Sequence, residues 1–305
     1  MKISIVSTLY YSQNYLKEFC HRCIFTAQKI ATDIELILVN DGSPDQSLTV
    51  ALEIQKQHDN IVIVDLSRNF GHHRAIMTGL RQATGDYIFL IDSDLEESPE
   101  LLEQFFFTLK QHPEIDVAFG IQTKRRGNWF ERASGFIFYK LLSVLTSVDY
   151  PADTFTARLM TKRYVESVLS YPEKELDIWG VFVLTGYNQI GVAANKGFKG
   201  KSSYSLYKKI RMAIEIITNL SHRPLYFTFL LGLITTFVSL LIIVSLVYNK
   251  LVYKIDVEGW TSILASVWLL GGVILLVLGV IGIYLSKIFL EVKNRPLAVV
   301  KKIYH

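Results

Sequence analysis

Two long apolar runs near the C-terminus constrain this chain more than any other feature. Residues 225–248 and 259–286 contain no Asp, Glu, Lys or Arg. Each is longer than the ~20 residues a helix needs to cross a bilayer core. At mid-membrane each Leu, Ile, Val or Phe contributes about −0.3 to −0.6 kcal/mol, so both runs are expected to insert. Between them lie Lys250 and Lys254, offset by Asp256 and Glu258. Lys208, Lys209, Arg211 and Arg223 flank the pair on one side, and Lys287, Lys293, Arg295, Lys301 and Lys302 on the other. The positive-inside rule then predicts a multi-pass protein of the cytoplasmic membrane, with a short outer loop and a cytoplasmic tail over 287–305. Met1 and Lys2 run directly into a strand pattern with no signal peptide ahead of it, so the N-terminal part is expected in the cytoplasm.

Residues 1–200 read differently. Ile3 to Leu9, Ile34 to Val39, Ile61 to Leu66 and Tyr87 to Ile91 are short apolar runs that alternate with stretches of helical period. That alternation predicts an α/β domain with a mainly parallel sheet and helices on both faces. Ser12 is the expected cap of the first helix, Asp45 of the second, and Ser98 with Pro99 of the helix over 99–111. A strand over 116–122 follows. Trp179 to Gly186 and Ile190 to Ala194 read as two further short strands.

Polar groups gather where these strands end. Asp41 closes the second strand, Arg68 and Asn69 follow the third, and Asp92 and Asp94 follow the fourth. In open α/β sheets that edge is where ligands bind. Residues two apart on an extended chain point the same way, so Asp92 and Asp94 face one spot. Two carboxylates so close repel unless a cation lies between them. Mg²⁺ or Mn²⁺ held together with substrate phosphates is the natural partner. Asp41 is placed to accept hydrogen bonds from a base or ribose, and Arg68 to meet phosphate or a base carbonyl. No G-x-G-x-x-G and no G-x-x-x-x-G-K run is present, which removes the main support for dinucleotide or P-loop chemistry.

The net charge of +4 is too small to argue for nucleic acid but suits work beside an anionic membrane. Basic side chains cluster after the fifth strand, at Lys124, Arg125, Arg126 and Arg132. From Leu206 to about 221 a basic amphipathic helix is expected to lie on the membrane surface. Cys20 and Cys23 share one face of the first helix, where packing rather than metal or redox chemistry is expected.

Together these residues resemble the inverting family-2 glycosyltransferases of the GT-A fold. The likeness is strongest to the polyprenyl-phosphate group, which includes dolichyl-phosphate mannose synthase and the bactoprenol glucosyltransferases. It rests on Val39-Asn40-Asp41-Gly42-Ser43, Ser67-Arg68-Asn69-Phe70-Gly71, Gly85-Asp86, Asp92-Ser93-Asp94-Leu95-Glu96-Glu97-Ser98-Pro99-Glu100, Arg158-Leu159-Met160, Gly200-Lys201-Ser202-Ser203-Tyr204 and the two spans. The resemblance implies transfer of one sugar, with inversion, from a nucleotide-diphosphate sugar (UDP-linked in the first instance) to undecaprenyl phosphate.

By the same resemblance Thr8, Tyr10, Asp41, Arg68, Asn69, Gly71, Asp92 and Ser93 serve the donor. Asp92, Asp94 and Glu96 serve the metal, with Asp94 and Asp153 catalytic. Arg125, Arg126, Arg132, Arg158, Lys196, Ser203 and Tyr204 face the acceptor phosphate. Self-association is also implied. Glu96 stands where the family usually has Gln, and Thr8-Leu9-Tyr10-Tyr11-Ser12 replaces P-x-Y-N-E. The Q-x-x-R-W run of processive polysaccharide synthases is absent. Asp92, Asp94 and Arg68 together argue against a vestigial domain used for scaffolding or lipid translocation.

Overall fold

The computed structural model describes residues 1–122, 154–171, 177–195, 197, 214, 217–218, 221–253 and 259–305. They fall into two units, a sheet domain that includes residues 294–305 and a separate helical pair.

The sheet domain begins β1 (Lys2–Leu9), α1 (Leu16–Gln28), β2 (Asp33–Asn40), α2 (Ser47–Gln55), β3 (Ile61–Leu66), α3 (His72–Leu80), β4 (Tyr87–Leu90) and α4 (Leu101–Gln111). It continues with β5 (Val117–Gln122), β6 (Thr154–Thr161), α5 (Lys162–Leu169), α6 (Ile178–Leu184) and β7 (Gln189–Ala194), and closes with β8 (Val300–Tyr304). The strands line up as β7-β5-β6-β4-β1-β2-β3-β8. β1 pairs in parallel with both β2 and β4, β2 with β3, and β5 with β7. β6 runs antiparallel to β4 and β5, and β8 antiparallel to β3. The sheet is therefore mostly parallel, as expected, with two strands reversed.

Apolar residues on both sides of the strands explain the two-sided burial. Ile3, Ile5, Leu36, Leu38 and Phe89 pack with α1, α2 and α4; Val6, Ile37, Val39, Ile88 and Leu90 pack with α3, α5 and α6. Alternation along each strand delivers these two sets. In α1 the buried residues Leu16, Phe19, Cys20, Cys23 and Ala27 recur at helical spacing and supply one stripe.

Cys20 and Cys23 are each 1% exposed and unbridged. Burial pushes the Cys20 thiol up to about 12 and the Cys23 thiol upward too. Thiolate is the reactive species. Both are expected to resist a thiol reagent in the native protein and to react fully once denatured; rapid native labelling would contradict the packing role.

The helix caps depart from the sequence expectation. α1 starts at Leu16 after Tyr15, and Ser12 contributes its carbonyl, not its hydroxyl, to the Tyr15 and Leu16 N–H groups. α2 starts at Ser47, and Asp45 accepts from the Ser47 N–H at 3.1 Å without being its cap residue. Ser98 donates its hydroxyl to Glu100 instead of capping α4. In each case a nearby side chain competes for the same short polar group. The run around Trp179 is helical (α6), not a strand. Short apolar runs of that length fit either state, and here Ile178, Val181 and Phe182 face the core.

Arg22 on α1 grips Glu100 with two nitrogens, at 2.9 and 2.6 Å, tying α1 to the loop after β4. That contact holds the Glu100 carboxyl down at about 2. A depressed carboxylate stabilises the fold above its usual value near 4.5 and loses that contribution as pH falls toward 2. Both side chains are partly exposed, so the contribution is only ~0.2–1 kcal/mol. Glu100→Gln is expected to lower the unfolding midpoint slightly at pH 6, with the gap to wild type closing by pH 2. A gap that does not change with pH would contradict the ion pair.

The helical pair consists of α7 (Arg223–Tyr253) and α8 (Trp260–Val292). Arg223–Ile242 and Ser266–Val292 are long and apolar enough to cross a membrane. Residues after α8 do not trail away as the tail expected from sequence. Leu297 is 6% exposed in the core, and β8 pairs with β3. The amphipathic stretch 206–221 lies almost wholly outside the described residues.

Candidate active site

The chain crosses β1, β2 and β3 in one direction, then returns to place β4 on the other side of β1. Such a reversal opens a crevice at the C-terminal ends of the flanking strands. Thr8 is the penultimate residue of β1, Asp41 follows β2, residues 67–71 follow β3, and Asp92 lies just after β4. The structure brings these four groups to one edge, as the strand-end pattern predicts.

Asp41 is 3% exposed. Its Oδ1 accepts the Phe70 N–H at 2.7 Å and its Oδ2 the Gly71 N–H at 3.0 Å, while Asn69 Nδ2 donates to the Asp41 carbonyl at 3.1 Å. The carboxylate thus shapes the loop after β3, and each oxygen keeps acceptor capacity for a ligand. Burial pushes its pKa above the ordinary carboxylate value, against the pull of the two N–H groups. Gly42 makes this meeting possible. Its φ is +58°, and a Cβ there would lie 2.4 Å from the backbone of Arg68 and Asn69. Gly71, at φ +99°, turns the loop into α3. The Arg68 guanidinium lies over the Phe70 ring, 4.2 Å from its centroid.

At the end of β1, Tyr10 and Tyr11 are both exposed and pack edge-to-face with centroids 4.8 Å apart. Tyr11 adopts φ +56°, and its N–H donates to Ser43 Oγ at 2.8 Å. Non-glycine residues in this region carry strain that usually marks a functional turn.

Asp92 and Ser93 turn to different partners. Asp92 Oδ2 accepts the Thr156 hydroxyl at 2.7 Å, and its Oδ1 lies 3.5 Å from His72 Nε2. Asp94 Oδ1 accepts the Glu96 N–H at 3.0 Å. Ser93 turns inward: it is 3% exposed, donates to the Thr8 carbonyl at 2.9 Å and meets Ser12 Oγ at 2.8 Å. Its side chain ties β1 to the loop after β4.

Among the described residues no three acidic, His or Cys side chains converge on a metal position, so Asp92, Asp94 and Glu96 do not form a ready cage. The donor set still suits a hard ion that arrives with a diphosphate, because Mg²⁺ and Mn²⁺ take one or two carboxylates and fill the remaining positions with phosphate and water.

Arg158, expected at the acceptor phosphate, is 3% exposed. Its guanidinium lies 3.9 Å from the Phe182 ring centroid and 4.6 Å from that of Trp179, and donates to the Phe155 and Thr156 carbonyls at 3.3 Å. Burial lowers its pKa to about 10. It is thus a buried cation on β6 and remains charged at neutral pH. Asp153, Arg125, Arg126, Arg132, Lys196, Ser203 and Tyr204 lie outside the described residues.

Residues 4–169 match the profile of Glycosyl transferase family 2. The chain belongs to this family. Among relatives of the transferase, a Mycobacterium tuberculosis (strain CDC 1551 / Oshkosh) protein bearing a glycosyltransferase name is 40% identical over 304 residues, covering 100% of this chain and 89% of that one. The uncharacterized Bacillus subtilis (strain 168) glycosyltransferase YkcC is 33% identical, covering 100% and 94%. The SfII prophage-derived bactoprenol glucosyl transferase of Shigella flexneri is 28% identical, covering 99% and 98%. The chain is a glycosyltransferase with a GT-A-like sheet domain, as the resemblance implies.

Three residues that line the candidate site escaped the sequence reading: His72, Glu97 and Thr156. The last was detectable in principle. Phe155, Ala157 and Leu159 alternate with Thr154, Thr156 and Arg158, which is a strand pattern.

Proposed function

We propose that the transferase moves a single sugar, with inversion, from a nucleotide-diphosphate sugar to a polyprenyl phosphate at the cytoplasmic face of the membrane. What carries this reading is one chain that joins two membrane-length helices to a strand-end crevice of acidic groups. Near-complete alignment with a bactoprenol glucosyl transferase supports the acceptor class. A lipid acceptor leaves the bilayer at a cost of about 0.8 kcal/mol per exposed CH₂, so the enzyme must work at the headgroup.

In this reading Asp41, Thr8, Tyr10, Arg68, Asn69 and Gly71 frame the nucleoside. Asp94, with Asp92 and Glu96 beside it, holds the Mg²⁺ or Mn²⁺. When bound, the ion offsets charge on the departing diphosphate. The acceptor oxygen attacks the anomeric carbon as the bond to the nucleoside diphosphate breaks. A lipid monophosphate, with a second pKa near ~6, is mostly dianionic at neutral pH and is already nucleophilic. Asp153 is therefore as well suited to orienting the acceptor as to acting as a base. Arg125, Arg126, Arg132, Arg158 and Lys196, with Ser203 and Tyr204, supply the charge and donors that hold one anion beside another. The basic stretch 206–221 keeps the domain at headgroup height, and the protein self-associates.

Purified protein incubated with a panel of nucleotide sugars, undecaprenyl phosphate and Mn²⁺ or Mg²⁺ is expected to give a glycolipid. Product on soluble acceptors alone would overturn the lipid assignment.

A further inference from the structure

Asp92 is held by a neighbouring strand rather than by its own loop. β4 and β6 are antiparallel with Leu90 opposite Arg158, and the same register carried two residues on sets Asp92 opposite Thr156. Opposed residues of an antiparallel pair point to the same face. The Thr156 hydroxyl accordingly reaches Asp92 Oδ2 at 2.7 Å, within the range of a charge-assisted bond.

β6 bulges here: Phe119 lies opposite Arg158 but Ile121 opposite Thr154, so the N–H groups of Thr156 and Ala157 leave the regular ladder and need other acceptors. Glu97 provides them. It is 0% exposed, and its two oxygens accept the Thr156 N–H at 3.0 Å and the Ala157 N–H at 2.6 Å. A fully buried carboxylate persists only where it is bonded in this way. It bridges the bulge and fixes the backbone that carries the Thr156 hydroxyl. On the opposite side, His72 at the start of α3 lies 3.5 Å from Asp92 Oδ1, and its Nδ1 is 3.1 Å from Thr8 Oγ1. The ring therefore bridges the ends of β1 and β4.

We propose that Thr156 is a positioning residue for the donor site, with its hydroxyl setting the Asp92 carboxylate, Glu97 fixing the strand and His72 closing the other side. This rests on the reading above that Asp92 serves the donor. Without the hydroxyl, Asp92 loses one of the contacts that fix its rotamer, and part of its ordering falls to donor binding.

The test uses the full-length protein in detergent. Calorimetry follows binding, with Mn²⁺ present, of whichever of UDP, GDP, dTDP and CDP the wild type binds tightest. Thr156→Val is expected to weaken binding about tenfold and to raise the donor KM by a similar factor, with kcat changed by less than about threefold. Thr156→Ser, which restores the hydroxyl, is expected to return affinity to within about twofold of wild type. If Val is not tolerated, Thr156→Ala against Thr156→Ser gives the same comparison. Asp92→Asn is the control. Wild-type affinity in Thr156→Val alongside loss in Asp92→Asn would overturn this inference alone. Equal losses in the Val and Ser variants would also overturn it, since packing and not the hydroxyl would then matter. Unchanged binding in Asp92→Asn, or no nucleotide binding by the wild type, would overturn the donor reading and this inference with it.

Discussion

Asp94→Asn is expected to lower sugar transfer about 10²- to 10³-fold while leaving the unfolding midpoint within a degree or two of wild type. The loss is the size seen when one preorganised electrostatic contact to a developing charge is removed. The fold should survive because Asp94 is half-buried and its Oδ1 accepts the Glu96 N–H, a bond within its own loop. An amide keeps an oxygen for that bond but brings no negative charge to a cation. Initial rates of glycolipid formation beside a thermal melt would separate the two effects. Near wild-type transfer would remove Asp94 from the chemistry and revive the idea of a vestigial domain.

The second large effect concerns residues 294–305. Ending the chain at Lys293 keeps both long helices but removes β8 and Leu297. β8 pairs with β3 through Leu66, and the Val299 carbonyl accepts the Ser67 N–H at 2.9 Å, next to the loop that Asp41 holds. Loss of one buried Leu side chain alone typically costs ~2–5 kcal/mol. The truncated protein is therefore expected to melt several degrees lower and to bind nucleotide more weakly, because the loop 67–71 loses its outer support. It also exposes the edge of β3, a template for aggregation. Melting and nucleotide binding unchanged by the truncation would mean that β8 only decorates the sheet.

How legible these features were depended on whether their cause was local. The parallel strands and their acidic ends could be read because apolar runs and turn residues are local signals. β8 was invisible for a physical reason. Val300-Lys301-Lys302-Ile303-Tyr304 is short, and its lysines suit a solvated outer strand better than a core one. The partners of Asp41 were hidden too: they are backbone N–H groups about thirty positions away, brought near by β2–β3 pairing and the space Gly42 leaves. Thr156 and Asp92 lie 64 positions apart, and only the antiparallel register of β4 and β6 joins them. Ser93 shows the reverse case. It sits in the most informative stretch of sequence, yet its hydroxyl turns toward β1.

The most direct measurement is the position of Mn²⁺, located by its anomalous scattering in crystals of the protein with bound nucleotide sugar. The account predicts a peak within coordination distance of an Asp94 oxygen and of the diphosphate, at the C-terminal ends of β1 and β4. Nucleotide bound elsewhere, with no metal near Asp94, would contradict it.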